Sequence, residues 1–465
     1  MMFRNERELL SNSSSESNRA LRRDALEILK AAVESADPGE AVRRNLKVTG
    51  DTLSCGGVDY DLTGDTRIYV VGGGKAGTAM ARAVWDLLGD RIDGGCINIV
   101  EGSDAPPEIG RIRLNGASHP VPNQDGVRGV ESMLSLTEDI GEGDLVIVLI
   151  SGGGSALMTY PAEGVDLEDV KTLTQLLLRS GASIDELNAV RKHVSALKGG
   201  QLARRLYPSK VLGLVLSDVV GDPLETIASG PTSPDTTTYG DAVEVLKRHD
   251  LWERAPPPIV DRLNRGVGGE IDETPKPGDP IFDRVNNVIV GSNMTALRAA
   301  VEKAEDLGYH STIATSGLTG EAVKAGPYLA DFVRETISSD DPLRSPVAAI
   351  FGGETVVTVT GLGVGGRNQE VALSAAQGMA GLKALIATLA TDGVDGPTEA
   401  AGALVDGTTL KRASSLGLDA SEHLRENDSY SFFNALGDAL ITGPTGTNVN
   451  DISVALIPRT RVDGG

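Results

Sequence analysis

The chain has 465 residues, 65 acidic against 43 basic side chains, a formal charge of −22 and 40% apolar residues. At about 150 residues per domain this length holds two or three domains with ample core. No stretch approaches the ~20 uninterrupted apolar residues of a membrane-spanning helix, which excludes a membrane protein. An acid excess of this size speaks against nucleic-acid binding, because phosphate contacts need a basic surface. Any anionic substrate must therefore meet a local basic pocket.

The first thirty residues have no apolar core of a secretory signal, so a cytoplasmic location is expected. Cys55 and Cys96 are too few for a disulfide framework and lack metal-ligand spacing. Only 13 of the 43 basic residues are Lys. A carboxylate-rich, Lys-poor surface stays hydrated in strong salt, and the composition reads as halophilic, of the kind found in haloarchaea.

In chain order, residues 18–36 repeat apolar side chains at helical spacing and open the fold with an amphipathic helix. A recurring unit follows, in which a short β-branched run ends in glycines or an Asp and a helical pattern begins. The runs are 67–71 before GGGKAG, 145–150 before SGGGSA, 211–216 before SDVVGD, 288–290 before GSNMTA, 347–351 before GGE and 385–389 before ATDGVDG. Strands alternating with helices predict an α/β protein with parallel sheets covered on both faces. Residues 253–283, dense in Pro, Gly and charge, predict a boundary near 280, giving domains 1–280 and 281–465.

The turn Gly72-Gly73-Gly74-Lys75-Ala76-Gly77 satisfies G-x-G-x-x-G between a strand and a helix, where backbone N–H groups favour an anion. Lys75 inside it is a point charge for phosphate or carboxylate. Glu101, at the end of the next apolar run, keeps a dinucleotide-dependent dehydrogenase open. Ser151-Gly152-Gly153-Gly154-Ser155 follows a continuous apolar strand and suits nucleotide phosphates. It is not the G-x-S-x-G of a serine hydrolase, since Leu157 holds the last position. Asp218 and Asp222 stand four residues apart after a strand, where carboxylates hold Mg²⁺ or accept a hydroxyl proton. In the C-terminal half, Glu354 follows two glycines, Arg367-Asn368 follows a glycine run that would present a bidentate guanidinium, and Asp392 with Asp395 offers a second pair of acids. Of five histidines only His119, in a Pro-rich loop, is placed to meet a ligand.

Taken together, GGGKAG (72–77), ASHPVPN (117–123), ISGGGSAL (150–157), LSDVVGDP (216–223), IASGPTSPD (227–235), GGET (352–355), GGRNQE (365–370), ATDGVDGP (390–397) and TGPTGTNVND (442–451) resemble the glycerate 2-kinase family. The likeness runs in order from about Arg22 to Ile457. It implies a Rossmann-like N-terminal domain, a C-terminal MOFRL domain, and phosphorylation of D-glycerate to 2-phosphoglycerate with ATP and Mg²⁺. It implies that Lys75, Arg367 and Asp218 matter for activity. Gly73, Gly74, Ser151, Gly152, Gly153, Gly154, Ser155, Asn368 and Glu354 are then expected to bind substrate or nucleotide, and Asp218, Asp222 and Asp392 metal. With Lys75 and Arg367 on opposite sides of the boundary, the active site is expected in the cleft between the domains. The runner-up is an NAD(P)H-dependent hydroxypyruvate reductase, a label some family members have carried. The sequence leaves a homodimer open.

The acid excess predicts salt-dependent folding. The melting temperature is expected to rise as KCl goes from about 0.1 M to about 3 M, over which the Debye length falls from ~10 Å to below ~3 Å; thermal unfolding across that range checks it.

Overall fold

The computed structural model describes residues 2–338 and 346–458. The chain forms two compact units, one of Pro38–Val290 and one of Met1–Asp37 with Gly291–Gly465.

The 38–290 unit is built on a seven-stranded sheet in the order Val285–Gly291, Lys210–Leu216, Leu145–Ile150, Ile68–Gly73, Gly94–Val100, Ile112–Ala117, Glu108–Ile109. The five strands from Lys210–Leu216 to Ile112–Ala117 run parallel, and only the short 108–109 edge is known to oppose its neighbour. The Leu145–Ile150 strand is buried at every residue, as its uninterrupted LVIVLI sequence requires of a strand covered on both faces. From Ile68–Gly73 the chain first adds strands on one side, then returns to add Leu145–Ile150 and Lys210–Leu216 on the other. This is a doubly wound order, and the direction reverses between Ile68–Gly73 and Leu145–Ile150. A crevice at the carboxyl ends of these two strands is where such sheets take ligands.

The other unit holds a six-stranded sheet in the order His310–Glu321, Val347–Val356, Asp451–Ile457, Leu385–Ala390, Gly402–Asp406, Ala439–Leu440. Here the expectation of a parallel sheet is corrected. Only 310–321 and 347–356 pair in parallel, because the returning Asp451–Ile457 strand inserts antiparallel between 347–356 and 385–390. The helix Arg367–Met379 is buried along most of its length against this sheet.

The single boundary expected near 280 differs from these units at both ends. The Pro- and Gly-rich segment lies wholly inside the 38–290 unit, where Pro257 starts a helix that runs to Val267. The opening helix, Glu16–Ser35, belongs with the C-terminal sheet. Its buried apolar face, Ala25, Leu29 and Val33 included, packs on the helix Asn293–Asp306 and on the strands Asp451–Ile457 and Leu385–Ala390, and a buried ion-pair network adds to this. Arg22, fully buried, donates to Asp406 at 2.6 Å and to Asp438 at 2.7 Å, and to the Leu9 carbonyl at 2.9 Å.

Breaking a buried ion pair by removing one partner leaves the other charge uncompensated. Arg22→Met is expected to lower unfolding free energy by about 3–5 kcal/mol, with denaturant titration as the measurement.

Candidate active site

In the 38–290 unit the two glycine turns lie side by side at the strand switch. The Lys75 N–H donates to the Gly152 carbonyl at 2.8 Å, and the Ala76 N–H to Ser151 Oγ at 3.1 Å. The glycines allow this approach. A Cβ on Gly72 would stand 2.0 Å from the Leu149 carbonyl oxygen, and one on Gly74 would stand 2.1 Å from Ser151 Oγ. Gly73 is similarly confined, by Met158 and the Asn98 carbonyl. Gly74, Lys75, Ala76 and Gly77 all spend their N–H groups on Asn98, Gly152, Ser151 and Gly74. The N–H groups of residues 74–77 are thus taken up within the protein, the glycines pack closely, and the Lys75 side chain is exposed.

The second turn gathers the chemistry. Gly153 has φ 81°, and a Cβ there would lie 3.2 Å from His119 Nε2 and 3.3 Å from Lys75 Cγ. The neighbouring Gly152 lies under Asp218, whose Oδ2 would be 2.1 Å from a Cβ. Lys75, His119 and Asp218 thus converge on Gly152 and Gly153. Burial, with the Lys75 charge added, holds the His119 imidazole below its usual range, so it is neutral at pH 7. Asp222 lies four residues beyond Asp218 in the left-handed backbone region, φ 56°. Among the described residues no group of three or more His, Cys, Asp or Glu side chains is placed to hold a metal. Two carboxylates on one loop still match Mg²⁺, which takes one or two and keeps several waters.

Gly154 and Ser155 continue the turn into the loop 227–230. A Cβ on Gly154 would meet Ala228 at 2.9 Å, and Ser155 Oγ lies 3.0 Å from Ser229 Oγ, which donates to Asn188 Oδ1 at 3.0 Å. Ala228 and Ser229 both sit at positive φ, 50° and 61°, the kind of backbone strain that collects at ligand sites. Beside Ser155 a cavity of ≈ 180 Å³ opens, with Arg191 and Lys198 in its wall. Sequence reading passed over both. The cluster Arg191, Lys192, His193 and Lys198, unusual in a Lys-poor chain, was the available signal.

In the other unit Glu354, Arg367, Asn368, Asp392 and Asp395 gather at the end of the sheet. Arg367 does not present an open fork. Asp451 accepts from its Nε at 2.7 Å and Nη2 at 3.0 Å, while Glu354 accepts from Nη1 at 2.5 Å. Burial pulls the guanidinium down, but these carboxylates hold it above its ordinary value. The preceding glycines are not a flexible arm either. Cβ atoms on Gly361, Gly363 and Gly365 would stand 2.3 Å from atoms of Glu426, Asp428 and Ser429 respectively. Asn368 is buried, and Asp395 accepts from the N–H groups of Asn368 at 3.0 Å and Gln369 at 2.9 Å. The helix start is thereby closed by the protein's own carboxylate. Asp392 accepts from the Val394 N–H at 3.0 Å. It lines, with Arg367, a wider cavity of ≈ 570 Å³ walled by Val356, Val359 and Pro397.

The fold and these two polar centres define a two-unit α/β protein with glycine-rich turns at a strand switch. The family model described as Domain of unknown function (DUF4147) matches residues 24–264, and the MOFRL family matches 347–451. The glycerate 2-kinase of Pyrococcus horikoshii is 42% identical, covering 95% of this chain and 98% of that one. The D-glycerate 2-kinase of Thermotoga maritima is 41% identical, covering 94% and 99%. A putative hydroxypyruvate reductase of Agrobacterium vitis is 40% identical over 92% and 93%. The crystal structure of the Thermotoga maritima glycerate kinase superposes with a TM-score of 0.84 at 40% identity, covering 94% of this chain and 99% of that one. The chain belongs to the glycerate 2-kinase family.

Arg367→Lys keeps the charge but cannot span Asp451 and Glu354 as a planar fork does. Turnover is expected to fall at least about tenfold, roughly 1.4 kcal/mol, in a protein whose circular dichroism is unchanged.

Proposed function

We infer that this protein transfers the γ-phosphoryl group of ATP to the C2 hydroxyl of D-glycerate, yielding 2-phosphoglycerate and ADP. The observation that carries the reading is the near full-length likeness to glycerate 2-kinases, and the geometry agrees with it. Phosphoryl transfer asks for positioning, charge neutralisation and a group to take the hydroxyl proton. Lys75 supplies a cation at the strand switch. Asp218, against Gly152, accepts the hydroxyl proton or joins Asp222 in holding Mg²⁺. When bound, the metal neutralises charge on the phosphates. Arg367, its guanidinium oriented by Glu354 and Asp451, and Asp392 are further residues expected to serve the reaction. The doubly wound sheet supports the Rossmann-like reading of the N-terminal half, and the acid excess supports a halophilic, cytoplasmic enzyme.

The relatives named as hydroxypyruvate reductases keep a second reading in view. A ketone reductase needs a proton donor, and a His119 imidazole held neutral beside Lys75 is poorly suited to that role. The first glycine turn also has its N–H groups committed within the protein, against a pyrophosphate cradle there.

An ATP-to-ADP coupled assay with D-glycerate in high KCl is expected to show turnover, and NADH with hydroxypyruvate none. Phosphorus NMR is expected to show 2-phosphoglycerate; 3-phosphoglycerate alone refutes the choice of hydroxyl. Lys75→Ala is expected to lower kcat/KM at least about a hundredfold, on the order of the 2.7–4 kcal/mol lost with one preorganised electrostatic donor.

A further inference from the structure

We propose that the cavity beside Ser155 seats the carboxylate of the hydroxy-acid substrate between Arg191 and Lys198. The proposal rests on the kinase reading above and names the substrate end of that site. Arg191 stands in the last turn of the Ile184–His193 helix, and Lys198 in the turn before the Gln201–Leu206 helix. Their neighbour Lys192 is paired with Asp235 at 3.2 Å, and His193 Nε2 stands 3.9 Å from Asp235 and 3.5 Å from Glu273. The Arg191 side chain makes no hydrogen bond or ion pair among the described residues. Lys198, 5% exposed, donates to the carbonyls of Ser155 at 2.8 Å and Met158 at 3.2 Å. Those two acceptors leave one of the three ammonium donors. Not one Asp or Glu lines the cavity.

Two cations facing one half-open pocket with no carboxylate in its wall are costly to a fold, and an anion between them relieves the cost. Burial and the Arg191 charge push Lys198 down to about 7, and burial lowers Arg191 as well, the electrostatic signature of a missing counter-ion. The size selects the anion. Pockets for drug-sized ligands run to about 300–1,000 Å³, whereas ≈ 180 Å³ walled by Pro120, Pro161, Val170 and Val194 suits a three-carbon acid and not a nucleotide. Direction follows from the wall they share. Gly153 lines the cavity, and Lys75, His119 and, over Gly152, Asp218 lie next to it. A glycerate whose carboxylate lies on Arg191 and Lys198 points its hydroxyls toward those three groups. Asn188, bonded through Ser229 to Ser155, keeps a buried Nδ2 with no partner, a further donor in the same network.

The test is calorimetric titration of D-glycerate into wild type and Arg191→Gln at fixed KCl, with steady-state kinetics on both. Because the Arg191 side chain gives the fold no hydrogen bond or ion pair among the described residues and its charge is partly desolvated, the variant is expected to melt at or above the wild-type temperature. Its Kd and KM for D-glycerate are expected to rise at least about thirtyfold, with KM for ATP within about twofold. In wild type at pH 8, binding is expected to take up protons as Lys198 is recharged, seen by comparing two buffers of different ionisation enthalpy. Lys198→Gln is expected to abolish that uptake. An unchanged glycerate Kd in Arg191→Gln, or equal losses for glycerate and ATP, overturns the proposal while leaving the kinase intact. Carboxylate binding that depends on Arg191 in a wild-type protein without ATP turnover overturns the kinase reading instead.

Discussion

A cation that its own protein has not neutralised is the one freest to meet a substrate anion, and 65 acids against 43 bases make such cations scarce. The buried Arg22 is held by Asp406 and Asp438, Lys192 by Asp235, and Arg367 by Asp451 and Glu354. Around the ≈ 180 Å³ cavity the pattern breaks, because prolines and valines occupy the positions where carboxylates would quench Arg191 and Lys198. Burial of the two cations has a second effect. Strong salt screens exposed charges within a few ångströms, but buried ones much less. We read the composition as suited to strong salt, and on that reading recognition of a small acid has to move below the surface.

Holding such cations in place requires a stiff frame, and the strand switch supplies it. The carboxyl ends of Ile68–Gly73 and Leu145–Ile150 are in register up to Gly73 and Ile150, and the turns beyond them approach so closely that Gly72 and Gly74 leave no room for a side chain. The hydrogen bonds that might have cradled a ligand instead tie one turn to the other. What the frame presents is then side chains: Lys75, His119 and Asp218 around two glycines. Electrostatic groups fixed before the reaction need no reorganisation during it, which is where most of their catalytic worth lies.

The alternation of β-branched runs and helical periods was legible, and the strands at 68–73, 145–150, 210–216, 285–291, 347–356 and 385–390 fall where those runs predict. Local pattern carries that information. The membership of the opening helix was not legible, because the Arg22 pairs with Asp406 and Asp438 span 384 and 416 residues and leave no local trace. Glycine-rich turns were visible, but composition cannot separate a glycine that admits a ligand from one that admits a neighbouring backbone. Gly74 against Ser151 and Gly366 against Asp395 are of the second kind. Arg191 and Lys198 escaped because they sit among four basic residues of which two are paired, and only the three-dimensional arrangement shows which two remain.

The two units resolve the same problem in opposite ways. At the start of the Arg367–Met379 helix, Asp395 satisfies the N–H groups that an incoming anion would otherwise use, and Asp451 satisfies the guanidinium. That centre is stable as it stands, and a ligand must displace an existing partner to engage it. In the 38–290 unit Lys198 is pushed down by its surroundings, Asn188 keeps an unpartnered nitrogen, and Ala228 and Ser229 occupy strained backbone. Such sites persist only when the surrounding structure over-determines them, and function is the usual reason they are kept. The unsatisfied centre is therefore the one at which we place the substrate carboxylate.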